Sequence, residues 1–154
     1  KWLPSDADSL RGVFAGLYSL DVADGASVDA IVAEAIENPA KLVCKPQREG
    51  GGNNLYGDEL KESLMKFSPQ ERAAYVLMDR IQPPSKTATL VRGGEAIVGA
   101  CVCELGIYGT ILTDGEGATI FENTPGHLLR QKSLGVDEGG VAAGFACLSS
   151  PALV

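Results

Sequence analysis

The sequence predicts an α+β fold, a mostly antiparallel sheet with flanking helices, and three observations predict it. Apolar residues recur at helical spacing through the first part of the chain. The second half alternates strand-forming runs with glycine turns, as successive hairpins do. Between the two lies a polar, glycine-rich stretch, Lys45 to Gly57, that follows a short apolar run. No repeat and no internal linker interrupts the pattern, so residues 1–154 are expected to form a single unit.

The first helix is expected over Ser5 to Leu20, with Leu10, Val13, Phe14, Leu17 and Tyr18 on one stripe. Asp6 or Asp8 favours its start. A second helix spans about Ser27 to Glu37 and faces inward through Val28, Ile31, Val32, Ala35 and Ile36, until Asn38-Pro39 stops it. Leu42 to Lys45 reads as a buried strand feeding the polar stretch. A third helix starts near Asp58 and buries Leu60, Leu64 and Phe67. Ser68-Pro69-Gln70-Glu71 has the form of a capping box opening a short helix, followed by a strand from Ala74 to Ile81 that Pro83-Pro84 breaks. Thr87–Arg92 and Glu95–Leu105 form a hairpin across Gly93-Gly94. Ile107–Thr113 and Ala118–Glu122 form another across Asp114-Gly115. Gly126 to Lys132 reads as a further strand and Ser133 to Gly140 as a polar loop. Val141 to Leu148 fits either strand or helix.

Composition narrows the function. The net charge of −7 argues against non-specific nucleic-acid binding. No apolar run approaches a membrane span, and no signal peptide is visible. The chain opens on Lys1 rather than Met, so processing, truncation or a further upstream part is expected. Cys44, Cys101, Cys103 and Cys147 lack metal-site spacing, and are expected as small buried thiols of an intracellular, reducing compartment, cytoplasm or organelle left open. His127 is the only histidine, so a His-dependent nucleophilic engine is not expected.

The chemistry concentrates in Lys45-Pro46-Gln47-Arg48-Glu49-Gly50-Gly51-Gly52-Asn53-Asn54-Leu55-Tyr56-Gly57. Glycines leave backbone N–H groups unshielded, and consecutive N–H groups form a concave anion site. Lys45 and Arg48 add positive charge, and Glu49 is a carboxylate suited to hold Mg²⁺ between phosphates. A cationic, glycine-rich loop with one acid suits nucleotide phosphates.

The same stretch closely resembles the signature of eukaryotic-type glutathione synthetases, ATP-grasp ligases that join glycine to γ-glutamylcysteine. The resemblance implies an ATP-grasp-like fold corresponding to the C-terminal part of such an enzyme, with ATP and Mg²⁺ as cofactors. It implies ATP contacts at Lys45, Gln47, Arg48, Glu49, Gly50, Gly51, Gly52, Asn53, Asn54 and Tyr56, with Glu49 as a Mg²⁺ ligand. Met78-Asp79-Arg80-Ile81 resembles the segment lining the adenine. Cys103-Glu104-Leu105-Gly106-Ile107-Tyr108-Gly109 resembles a further family motif, in which Glu104 meets the ribose.

Gly126-His127-Leu128-Leu129-Arg130 with Lys132 completes the resemblance. There Arg130 would bind a substrate carboxylate bidentately and Lys132 would contact ATP, the two counted as catalytic. Glu138 to Gly144 resembles the glycine-rich loop that closes over the site, with Glu138 on ATP and Val141 and Ala142 on substrate. Glu122 departs from the family's Asn. The family's other Mg²⁺ ligands and most γ-glutamylcysteine contacts lie upstream of the resembling part.

The resemblance therefore implies ATP-dependent ligation of glycine to γ-glutamylcysteine, with this chain supplying the nucleotide half of the site and a companion segment or chain completing it. The alternative is an inactive synthetase-like domain serving as a structural subunit of a larger assembly.

Overall fold

The computed structural model describes residues 7–48 and 52–151. Glu49, Gly50 and Gly51, together with Ser5 and Asp6 of the expected first helix, lie outside the described residues. Two compact units divide at Gln82/Pro83, and each is taken by itself.

The first unit opens with a short helix, α1 (Ala7–Arg11), and then strand β1 (Leu17–Ser19). The continuous helix expected through Leu20 is thus corrected. Gly12 and Gly16 interrupt it, because glycine is a poor helix former. Val13, Phe14 and Leu17 are exposed rather than a core stripe. The backbone at Gly16 is committed to the sheet instead: its carbonyl accepts from the Asp79 N–H at 2.9 Å. A Cβ on Gly16 would sit 2.6 Å from Asp79 Oδ2, so this close approach needs glycine.

Helix α2 (Ala26–Glu37) buries Val28, Val32 and Ala35, the stripe its spacing predicts. Strand β2 (Leu42–Pro46) follows, then α3 (Gly57–Lys66), which buries Leu60 and Leu64. Helix α4 (Pro69–Arg72) begins at the predicted capping box, in which Ser68 and Glu71 bond each other's backbone. Strand β3 (Tyr75–Asp79) lies at the centre of an antiparallel sheet ordered β1-β3-β2. One sheet face packs on the helices: Leu20, Leu42, Cys44 and Leu77 join Val28, Val32, Ala35, Leu60 and Leu64 in one core. Burial there pushes the Cys44 thiol up to about 12, so it stays protonated.

The second unit is a sheet ordered β4-β5-β6-β7, made of β4 (Ser85–Arg92), β5 (Glu95–Thr113), β6 (Thr119–Ser133) and β7 (Cys147–Ser149). The Gly93-Gly94 hairpin forms as predicted, with both glycines at positive φ. The separate strands expected on either side of Gly106 and Gly126 are instead single long ones. Neither glycine reverses the chain. The pairing slips twice, between Tyr108 and Thr110 and between Leu112 and Thr113; at the first it jumps from Gly126 to Asn123 and leaves Thr124 and Pro125 out of register. Pro125 has no N–H to give a ladder, so a bulge is where a strand tolerates it. After Ser133 the chain turns, and the ambiguous tail resolves into a turn followed by β7.

Candidate functional site

Strand β2 delivers Lys45, and the loop beyond it is closed at its base. Cys44 and Leu55 exchange backbone hydrogen bonds at 3.0 and 2.9 Å, forming an isolated bridge. The Gln47 N–H is anchored to the Ala74 carbonyl at 2.8 Å. Across the loop, the Arg48 guanidinium donates to Asn53 Oδ1. Asn54 Nδ2 lies 3.4 Å from the Tyr56 hydroxyl. Gly52 has φ +82°, a conformation that favours glycine, and nothing among the described residues stands within 4 Å of where its Cβ would be.

The second stretch comes to the same place. The guanidinium of Arg80 lies 5.5 Å from the Tyr56 ring centroid, within cation–π range. The backbone N–H of Arg80 donates to the Lys41 carbonyl at 2.8 Å. In the register of the sheet, Val43 faces Met78 and Lys45 faces Val76. Residues 43, 45, 76 and 78 therefore share the face turned away from the helical core. Ile81 is exposed just beyond the strand.

Asp79 behaves differently. It alternates onto the other face, where Oδ2 accepts from the Gly16 N–H at 2.8 Å and Oδ1 from the Tyr18 hydroxyl at 3.1 Å. That bond to Asp79, then burial, holds the Tyr18 hydroxyl above the ordinary tyrosine range. The Asp79 carboxylate thus fastens β1 to β3. Sequence reasoning placed Tyr18 on a helical stripe and gave Gly16 no role, because these contacts join residues 63 and 61 positions apart.

The third and fourth stretches meet in the second unit. Glu104 pairs with Arg130, and Val102 with Lys132, so Glu104, Arg130 and Lys132 share one sheet face. The Arg130 guanidinium is ion-paired with Glu104 Oε1. Lys132 Nζ donates to the carbonyls of Asp137 and Glu138 at 2.7 and 3.2 Å, which fixes the entry to the glycine-rich segment. That segment is a closed turn. The Gly144 N–H bonds the Val141 carbonyl at 2.9 Å, and Gly144 has φ +80°. The Phe145 N–H bonds the Gly140 carbonyl at 3.0 Å. Ala142 stands exposed on the turn, with Val141 half-buried beside it. Arg92, unmarked by any sequence motif, donates to the Phe145 carbonyl at 3.2 Å and holds the far end.

Two arrays therefore exist. One joins Lys45, Gln47, Arg48, Gly52, Asn53, Asn54, Tyr56, Met78 and Arg80 in the first unit. The other joins Glu104, Arg130, Lys132, Glu138, Val141 and Ala142 in the second. The donors of the first suit a polyanion: an ammonium, two guanidinium groups, amides and open backbone. Among the described residues no group of three His, Cys, Asp or Glu side chains is placed to hold a metal. The expected ligand Glu49 lies outside them. The cysteines are free thiols. Cys44 and Cys101 are buried as expected, whereas Cys103 is exposed because β4 stops pairing with β5 at Val102.

Comparison with known proteins covers nearly the whole chain. Residues 1–153 match the family model of the eukaryotic glutathione synthase ATP-binding domain. Glutathione synthetase of Xenopus laevis is 45% identical across 100% of this chain, and that of Homo sapiens 46% identical across 96%. The chloroplastic glutathione synthetase of Arabidopsis thaliana is 44% identical across 97%. The chain spans 33%, 31% and 27% of these relatives' own lengths. A solved structure of a glutathione synthetase-like effector from Globodera pallida, in apo form, superposes with a TM-score of 0.66. That match has 23% identity and covers 96% of this chain and 29% of the other, so it speaks to fold alone. The α+β, ATP-grasp-like architecture expected from the sequence is the one these matches share.

Proposed function

Because this chain belongs to the eukaryotic glutathione synthase ATP-binding-domain family, we propose that it supplies the nucleotide half of an ATP-dependent peptide ligase. The reaction would join glycine to γ-glutamylcysteine. The observation that carries this reading is the closed loop. The Cys44–Leu55 bridge holds together the base of the loop that carries Lys45, Arg48, Asn53, Asn54 and Tyr56, and Arg80, just past β3, reaches the Tyr56 ring.

In this reading the cationic groups and the open glycine backbone bind and orient the polyphosphate. Lys45 and Arg48 neutralise its charge, and Met78 and Ile81 offer apolar surface to the base. Glu49 would hold Mg²⁺, which supplies charge neutralisation to a transferring phosphoryl group. In the second unit Arg130 would receive a substrate carboxylate, exchanging it for Glu104. Lys132 holds the glycine-rich turn that would exclude water.

The test is calorimetry of Mg–ATP on the full chain. Heat of binding is expected for the wild type. Lys45→Ala should weaken binding by roughly 1.5–3 kcal/mol, the worth of a charge-assisted hydrogen bond. No nucleotide heat from the wild-type chain would sink the reading.

A further inference from the structure

Arg130 stands in a row that crosses three strands. Glu104 on β5 lies directly opposite it on one side, and Leu148 on β7 on the other. Strand alternation puts Val102 and Gly106 beside Glu104, and Leu128 and Lys132 beside Arg130, on the same face. Among these neighbours Glu104 is the one acid, and its carboxylate is ion-paired with the Arg130 guanidinium. Lys132 is the one other cation, and its ammonium donates to the carbonyls of Asp137 and Glu138. Leu148 is 59% exposed, so the remaining flank of Arg130 is apolar.

The guanidinium fork therefore already holds a carboxylate, and that carboxylate is the chain's own. The side chains of Arg130 and Glu104 are 38% and 65% exposed. Exposed pairs are weak, so a ligand carboxylate can displace Glu104. What happens next depends on the displaced acid. On this face it has only Lys132 near it, which the turn carbonyls already hold. It also lies against the incoming carboxylate, and two like charges in contact oppose binding. A plain carboxylate meets that repulsion in full. An α-amino carboxylate does not. Its ammonium sits a single carbon from its carboxylate, so one charge can face Glu104 while the other faces Arg130. Such a ligand separates one ion pair and restores two.

We infer that Glu104 is a specificity-determining residue of the Arg130 site, favouring carboxylates that carry an adjacent ammonium over those that carry none. The family likeness sends Glu104 to a ribose, whereas the ion pair ties it to Arg130. The inference rests on the reading that Arg130 receives a substrate carboxylate. It adds that Glu104 reads the amino group of the same ligand.

Glycine and propionate make the test, because propionate has a methyl group where glycine has its ammonium. Each is titrated into the full 154-residue chain. Binding is followed by NMR at the Arg130 side-chain Nε–H, assigned with the variant Arg130→Lys. The wild type should bind glycine about fivefold more tightly than propionate, the scale of an exposed ion pair. Glu104→Gln keeps the side chain's shape and removes its charge. It should bind the two ligands alike, chiefly because propionate gains. Equal affinities in the wild type overturn the inference. So does a preference that persists in Glu104→Gln, since a merely structural Glu104 would move both affinities together and leave their ratio in place. In either case Arg130 still responds to ligand. No response of Arg130 to either ligand would overturn the carboxylate reading itself, and the inference with it.

Discussion

Asp79 shows how one side chain serves the fold beside a candidate binding site. Its two oxygens take the Gly16 N–H and the Tyr18 hydroxyl. Asp79→Ala leaves both donors without an acceptor in a partly buried place and should cost about 1–3 kcal/mol, read by urea unfolding. The same variant should lower the ionisation range of Tyr18, read by tyrosinate absorbance. The sign follows from the raised folded value. A raised value means that the protonated hydroxyl stabilises the fold fully below the ordinary tyrosine range, and that this support is lost as pH rises through the folded value. Unchanged stability in Asp79→Ala would show that the strand pairing holds β1 without this carboxylate. The residue sits within Met78-Asp79-Arg80-Ile81, whose likeness to an adenine-lining segment is legible in sequence. That Asp79 turns to the opposite face from Met78 follows from strand alternation once β3 is placed.

At the scale of elements, α4 is a four-residue helix that depends on its cap. Ser68 Oγ accepts from the Glu71 N–H at 3.3 Å, and the Ser68 N–H donates to Glu71 Oε2 at 2.8 Å. Ser68→Ala should destabilise by about 0.5–2 kcal/mol, and at this exposed site by the low end of that range, measured by thermal unfolding. An increase in stability would contradict it. The bonds from the Ser68 backbone N–H and then its hydroxyl hold the Glu71 carboxyl below its ordinary range. That stabilisation is present above the ordinary glutamate range and is lost as pH falls through the lowered value. This cap was legible because all its parts lie within four consecutive residues. The fusion of the expected short strands into β5 and β6 was not. Alternation looks the same on either side of a glycine, and only cross-strand register shows whether the chain turns there or bulges.

At the scale of the whole molecule, the chain carries two arrays while spanning about a third of the length of its relatives. If a companion completes the ligase, the purified chain supplied with ATP, Mg²⁺, γ-glutamylcysteine and glycine should release no glutathione, measured by thiol chromatography. Turnover by the chain alone, free of contaminating enzyme, would show that its own residues suffice.

What the sequence determined by itself was local or linear. Helix α2 and its buried stripe, the capping box, the β4–β5 hairpin and the family signature around Lys45 each depend on residues close in the chain, where spacing alone carries the physics. What only the tertiary structure decided was long-range. The Gly16–Tyr18–Asp79 fastening, the Arg80–Tyr56 contact, the Glu104–Arg130 pair and the long β5–β6 pairing depend on strand register. Register is set by which faces are buried and which strands find partners, and no single stretch of sequence encodes it.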